Sequence, residues 1–166
     1  MSKRAFTFAE VMIVMLVIVI LAIVAITDFV NTNTQAKLRS ASFRLKSDII
    51  YAQSLAVTQQ VNCGIVFTPG APAGSYSVYR QTTTNIVNNP LTQAPFTVDY
   101  ASDPVLEGVT LYSTSFGSPT TNRLEFDSLG IPSDGTNILG SDGTVTLTYG
   151  GDTATVKVTK NTGKVD

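Results

Sequence analysis

The sequence predicts an α+β protein: a long N-terminal α-helix, transmembrane in its first half and amphipathic in its second, packed against a C-terminal antiparallel β-sheet or sandwich head. Three observations predict it. The first glycine is Gly64 and the first proline is Pro69, so more than sixty residues pass without helix punctuation. Apolar side chains are concentrated in one unbroken block of sixteen, Val11 to Ile26. After Gln60 the apolar period changes to two, and Gly, Pro and Asp-Gly pairs separate short runs.

The first element is the apolar half of the helix. Phe6 to Ile26, taken as helical, extends roughly 31 Å at about 1.5 Å per residue, which matches a hydrocarbon core of about 30 Å. The block is too long for an ordinary secretory signal and ends in Thr27-Asp28-Phe29 rather than in small residues. Lys3 and Arg4 precede it, which places the short leader in the cytoplasm and the remainder outside. Lys37, Arg39, Arg44 and Lys46, beyond the span, weigh the other way.

The helix is expected to run from about Thr7 to about Gln59. In its outer half Leu38, Ala41, Leu45, Ile49, Ala52 and Ala56 recur at spacings of three and four, so they line one face. The cations Lys37 to Lys46 fall mostly elsewhere and read as the solvated side. Asn31-Thr32-Asn33-Thr34 prefers caps and turns, making it the point where a kink is expected.

Seven strands are expected next: Val61 to Phe67, Ser75 to Arg80, Phe96 to Tyr100, Val105 to Tyr112, Arg123 to Phe126, Thr144 to Tyr149 and Thr153 to Val158. So many short strands cannot bury their own faces, and some should pack on the Leu38 to Ala56 stripe. Gln81 to Ala94 and Asp127 to Ser141 read as surface loops.

Composition narrows the chemistry. With no histidine and one cysteine, the chain cannot build an internal disulfide, a Cys/His zinc site or a histidine relay. Cys63 reads as a small buried strand residue. No nucleophile sits beside a base on a recognisable elbow, and no phosphate-binding loop occurs, so an enzyme is not expected and no cofactor or metal is implied. Asp127, Asp134, Asn137 and Asp142 share a glycine-rich stretch but match no calcium loop; they read as turn formers.

One residue resists these readings. Glu10 stands at the entrance of the apolar block, where insertion scales charge about 2.5 to 3.5 kcal/mol for an ionisable residue at a span's centre. It either snorkels to the interface, helped by the positive end of its own helix, or meets a cation from another molecule.

The stretch "FTFAEVMIVMLVIVILAIVAI" resembles the start of type IV pilins and type II secretion pseudopilins. There a short basic leader precedes Phe-Thr, a Glu and a long apolar helix. The resemblance implies cleavage by prepilin peptidase between Ala5 and Phe6, N-methylation of the new Phe6 amine, and pairing of Glu10 with the Phe6 amine of a neighbouring subunit. It divides the chain into a leader (1–5), a transmembrane and filament-core helix (6–30), its amphipathic outer half (31–60) and a β-rich head (61–166). Implied partners are other pilin or pseudopilin subunits, the peptidase, an inner-membrane assembly platform and, before assembly, membrane lipid. The implied location is the inner membrane with the head in the periplasm, then a filament. Because tip-capping pseudopilins often lack this carboxylate, Glu10 implies a subunit that docks beneath another. Ala5 replaces the usual glycine before the cut, and Val19 and Thr27 replace helix-loosening residues, so the helix should be stiffer.

Within that group, "KLRSASFRLKSDIIYAQSLAVTQQVNCGIVF", "LEFDSLGIPSDG" and the closing "VTLTYGGDTATVKVTKNTGKV" resemble GspH/FimT-type minor pseudopilins and minor pilins. Some FimT-like pilins bind DNA through a basic tail, and this chain ends with Lys157, Lys160 and Lys164. Residues 61–166, however, carry 5 basic against 9 acidic side chains, the wrong sign for phosphate neutralisation. DNA uptake is the minority reading. The other alternative is a single-span membrane protein displaying a β-sandwich binding domain without assembling.

Overall fold

The computed structural model describes residues 7–70, 73–117 and 121–166, and for residues 23–32 it describes the backbone alone. The chain separates into two compact units, Met1–Ala36 and Lys37–Asp166, and one helix contributes to both.

Helix α1 covers Phe8–Gln59. Thr7 is its N-cap: the Thr7 hydroxyl accepts the Glu10 N–H at 3.3 Å, satisfying one of the free donors of the first turn. The Thr7-x-x-Glu10 spacing is that of a capping box, and it starts the helix one residue later than expected. The weak run Asn31 to Thr34 does not interrupt it; α1 is continuous there. At the other end Gln60 takes the left-handed conformation, φ 55°, that usually falls to glycine at a helix C-terminus, and its side-chain amide donates to the Val57 carbonyl at 2.7 Å.

In the second unit, nine strands follow among the described residues: β1 Cys63–Thr68, β2 Ser75–Arg80, β3 Thr82–Ile86, β4 Thr97–Asp99, β5 Thr110–Ser115, β6 Arg123–Phe126, β7 Pro132–Ser133, β8 Gly143–Tyr149 and β9 Asp152–Val158. The first sheet runs β3-β2-β1-β6-β7, with β4 also on β2; the second runs β5-β8-β9. All pairings are antiparallel, and Ile65 stands opposite Val78 on one side and Leu124 on the other.

All six residues of the predicted helix stripe are buried, and they share one core with both sheets. Phe67 of β1 stacks on Phe116, just past β5, with ring centroids 5.4 Å apart, joining the two sheets through an aromatic contact. Burial alternates along β8, where Gly143, Val145 and Leu147 point inward, as a strand with one wet face requires.

Three expectations are corrected. Asp127 to Ser141 is not all loop, because Pro132–Ser133 pairs with β6. Gln81 to Ala94 is not all loop, because Thr82–Ile86 pairs with β2 through a register shift next to Arg80. Val105 to Tyr112 is not one strand. Residues 104–108 form turns stabilised by Asp103, whose carboxylate accepts the Val105 N–H at 2.9 Å, and the strand begins only at Thr110. Burial of Leu106 and Val109 beside exposed Val105 follows a turn's spacing, not a strand's.

Candidate functional site

The predicted processing residues Ala5 and Phe6 lie outside the described residues. Glu10 lies within them, in the first turn of α1, with its backbone N–H satisfied by Thr7. Its side chain heads a shallow groove of about 290 Å³ lined by Val11, Val14, Met15 and Ile18. Glu10, Val14 and Ile18 form one i, i+4 ridge; Val11 and Met15 begin the next. Among the described residues no element of the first unit covers this surface, and every side chain from Val11 to Leu21 is 47–64% exposed. Among the described residues no helix is long and apolar enough to cross a membrane; the predicted span continues into residues 23–26, whose side chains are not among them.

In the second unit the chemistry is devoted to holding α1. Gln53 donates from Nε2 to the carbonyls of Gly130 (2.9 Å) and Thr162 (3.0 Å), tying the helix to two loops 77 and 109 residues away. Asp48 accepts the Tyr76 hydroxyl at 2.6 Å. Burial pushes the Asp48 carboxyl above its ordinary range, and the Tyr76 bond and Arg44 only partly offset this. Burial likewise pushes Tyr76 up, with the nearby Asp48 charge adding to it. Arg44 forms an ion pair with Asp103. Burial draws Asp103 upward, but the Val105 N–H and the Arg44 guanidinium outweigh it and hold the carboxyl below its usual range. Lys37 donates to the Glu107 carbonyl at 3.2 Å and lies 5.1 Å from the Tyr149 ring centre. Two of the four cations read as a solvated face are therefore clamps onto the segment that follows β4.

A second buried network joins β1, β2 and β6. Glu125 accepts the Tyr79 hydroxyl at 2.7 Å and the Asn62 amide at 3.0 Å. Gly64 permits this crossing, since a Cβ there would stand 2.3 Å from the Leu124 carbonyl oxygen and 2.9 Å from the Tyr79 hydroxyl. Burial raises the Tyr79 phenol, and the Glu125 bond raises it further. Cys63 is a buried strand residue, its thiol pushed up by burial.

The acidic loop residues act as turn formers. Asp127 Oδ1 accepts the N–H groups of Leu129 and Ile131, and Asp134 Oδ1 those of Thr136 and Asn137. The Asn137 N–H and, behind it, the Thr136 N–H hold Asp134 below its ordinary range against the opposing effect of burial. Asp142 pairs with Lys157 at 2.8 Å and accepts the Lys160 N–H. Lys164 pairs with Asp166 at 2.5 Å, so two of the three tail lysines are neutralised within the chain.

No curated protein matches the sequence. Among solved structures the chain is similar to the type IV minor pilin FimU of Pseudomonas aeruginosa, with a TM-score of 0.51 and 16% identity over 80% of this chain and 88% of that one. It is similar also to the minor pseudopilin EpsH of the Type 2 Secretion System of Vibrio cholerae, with a TM-score of 0.52 and 11% identity over 78% of this chain and 94% of that one. At those identities the likeness establishes the fold, a helix packed on an antiparallel β head. The sequence itself goes further: the family model described as Type II transport protein GspH matches residues 41–163, most of the second unit, and the chain belongs to that family.

Proposed function

We propose that this chain is a structural subunit of a type IV pilus-like filament or a type II secretion pseudopilus. Residues 1–5 are a leader removed between Ala5 and Phe6, and the Phe6 amine is then methylated. Residues 6–30 hold the subunit in the inner membrane until assembly, residues 31–60 carry the head, and 61–166 form the filament surface. Partners are other pilin or pseudopilin subunits, the prepilin peptidase and an assembly platform that supplies the work.

The observation that carries this reading is Glu10 at the head of an uncovered apolar groove on α1. Before assembly lipid fills the groove; in the filament a neighbouring helix does. Exchange of lipid for protein gives little ordinary hydrophobic gain, so close fit and the Glu10 pairing must set the axial register. A neighbour's Phe6 amine brings the positive charge.

Two measurements test it, one on native material and one on a variant. Mass spectrometry of the mature N-terminus should find Phe6 methylated; an intact Met1 would support a simple single-span anchor instead. Glu10→Ala should insert into the membrane at wild-type level yet fail to enter sheared filaments, and normal incorporation would defeat the register role.

A further inference from the structure

One flank of the second unit carries a surface that meets the clamps only at its first end, where Arg44 and Asp48 lie. Along α1, positions 44, 48, 51, 55 and 59 follow spacings of three and four, one step around the helix from the buried stripe. Three hollows of 390, 350 and 490 Å³ lie along them. They are contiguous: Tyr51 lines the first and second, and Gln59 and Arg80 line the second and third. From Arg44 to Gln59 the helix rises about 22 Å at about 1.5 Å per residue, the length of six or seven extended residues at about 3.3 Å each.

The opposite wall is formed by Gln81, just before β3, by Asn85 and Ile86 at the end of β3, and by the segment from Val87 to Leu91 that follows it. Strand β3 is an outer strand of its sheet, modified by a register shift at Tyr79/Arg80; β4, also outer on β2, has three residues and ends on Asp99. Strand β7 has two residues. Strand β9 is closed by the chain end, where Lys157 and Asp166 exchange backbone hydrogen bonds at 3.1 and 2.9 Å. Strand β5 is covered at Leu111 by bonds to Gly70 and Ala73. Proteins usually guard an open edge with charge, proline or a short strand. Here residues 81–98 contain no charged side chain and β3 itself no proline.

Charge is distributed unevenly along the trough. At the first hollow Arg44 is paired with Asp103, and Asp48 accepts Tyr76. At the far end Arg80 is exposed; it donates to the Gln59 side-chain carbonyl at 3.2 Å and has no carboxylate partner among the described residues. An occupant should therefore be neutral along most of its length and acidic where it meets Arg80. The aromatic pair in the wall, Tyr51 and Phe96, is tilted at 42° with centroids 5.5 Å apart, and Phe96 is buried, so the wall offers a sugar one half-buried ring and no pair of parallel platforms. Amide side chains beside an unpaired strand edge suit a peptide backbone.

We propose that this trough seats an extended, otherwise uncharged polypeptide segment of a neighbouring subunit, added alongside β3 with a carboxylate on Arg80. That the donor is a neighbouring subunit rests on the filament reading; the site itself does not. The test uses the full chain in detergent micelles, with no filament present. The probe is the acetylated and amidated hexapeptide Thr-Val-Thr-Val-Thr-Asp, its Asn-ended counterpart and cellohexaose. Binding is followed by anisotropy and by hydrogen exchange of residues 82–86. The acidic peptide should bind saturably and protect those amides. Replacing its Asp by Asn, or Arg80→Gln, should each weaken it about fivefold, with no further loss when combined. No binding, equal affinity for the two peptides, or the same protection from cellohexaose would overturn the proposal. Such a failure beside normal filament incorporation would leave the subunit role standing.

Discussion

Gln53 offers the sharpest test of how the head holds its helix. Its amide nitrogen is the only polar atom described between α1 and the carbonyls of Gly130 and Thr162. A net hydrogen bond contributes about 0.5 to 1.5 kcal/mol, and the Thr162 bond, being exposed, belongs at the low end. Gln53→Leu should therefore cost about 1 to 2 kcal/mol. For a unit the size of Lys37–Asp166, an unfolding entropy of about 2.1 cal/mol/K per residue makes that a drop of roughly 4 to 7 °C. Gln53→Glu preserves shape but turns the donor into a carboxylate facing two carbonyl oxygens, so it should be worse than the leucine variant at pH 7. The introduced carboxyl has its folded-state pKa raised above the ordinary value near 4.3, so the deficit should shrink as pH falls through that raised value. The assay is thermal unfolding of the full chain in mild detergent from pH 7 to pH 4. A Gln53→Glu variant as stable as wild type at pH 7 would refute the clamp.

Two further predictions come from the same interface. Ile49, with no exposed surface on the buried stripe, should lose about 2 to 5 kcal/mol as Ile49→Ala, read as a lower denaturant midpoint with unchanged slope. The carboxylates Asp48 and Asp103 should show opposite pH signatures. Asp103 is held below its unfolded value, so its contribution is present above about pH 4 and is lost as pH falls through the folded value. Asp48 is raised, so burying its charge costs stability at neutral pH and the cost is relieved on acidification. Relative to wild type, Asp103→Asn should be destabilised at pH 7 with the gap closing toward acid. Asp48→Asn should lose ground to wild type as pH falls, measured in parallel melts.

How much of this was legible in the sequence follows from the range of the interactions. The stripe from Leu38 to Ala56 is a local periodic signal, and all six positions are buried. Strand β6 was placed to the residue, since Arg123 to Phe126 alternates between turn-rich segments. Strand β3 was missed because Thr82-Thr83-Thr84-Asn85 has no alternation; neighbouring β2 imposes its extended form. The stretch 105–109 resembles a strand in sequence because apolar content in a turn looks like a strand until burial separates Leu106 from Val105. At the N-terminus the Thr7-Glu10 spacing carried a capping signal beside the family motif. The roles of Lys37, Arg44 and Gln53 were hidden, because their partners lie 59 to 109 residues away and nothing local marks them.

In the proposed filament the Glu10 carboxylate meets a cation that a neighbouring subunit supplies. Solid-state NMR on mixed-label filaments measures this directly, with the Glu10 carboxyl carbon of this chain carrying 13C and the N-terminal amines of neighbouring subunits carrying 15N. That pairing requires an intersubunit 15N–13C contact at ion-pair distance, about 4 Å. A carboxylate with no cross-label contact, or one satisfied only within its own chain, would contradict it.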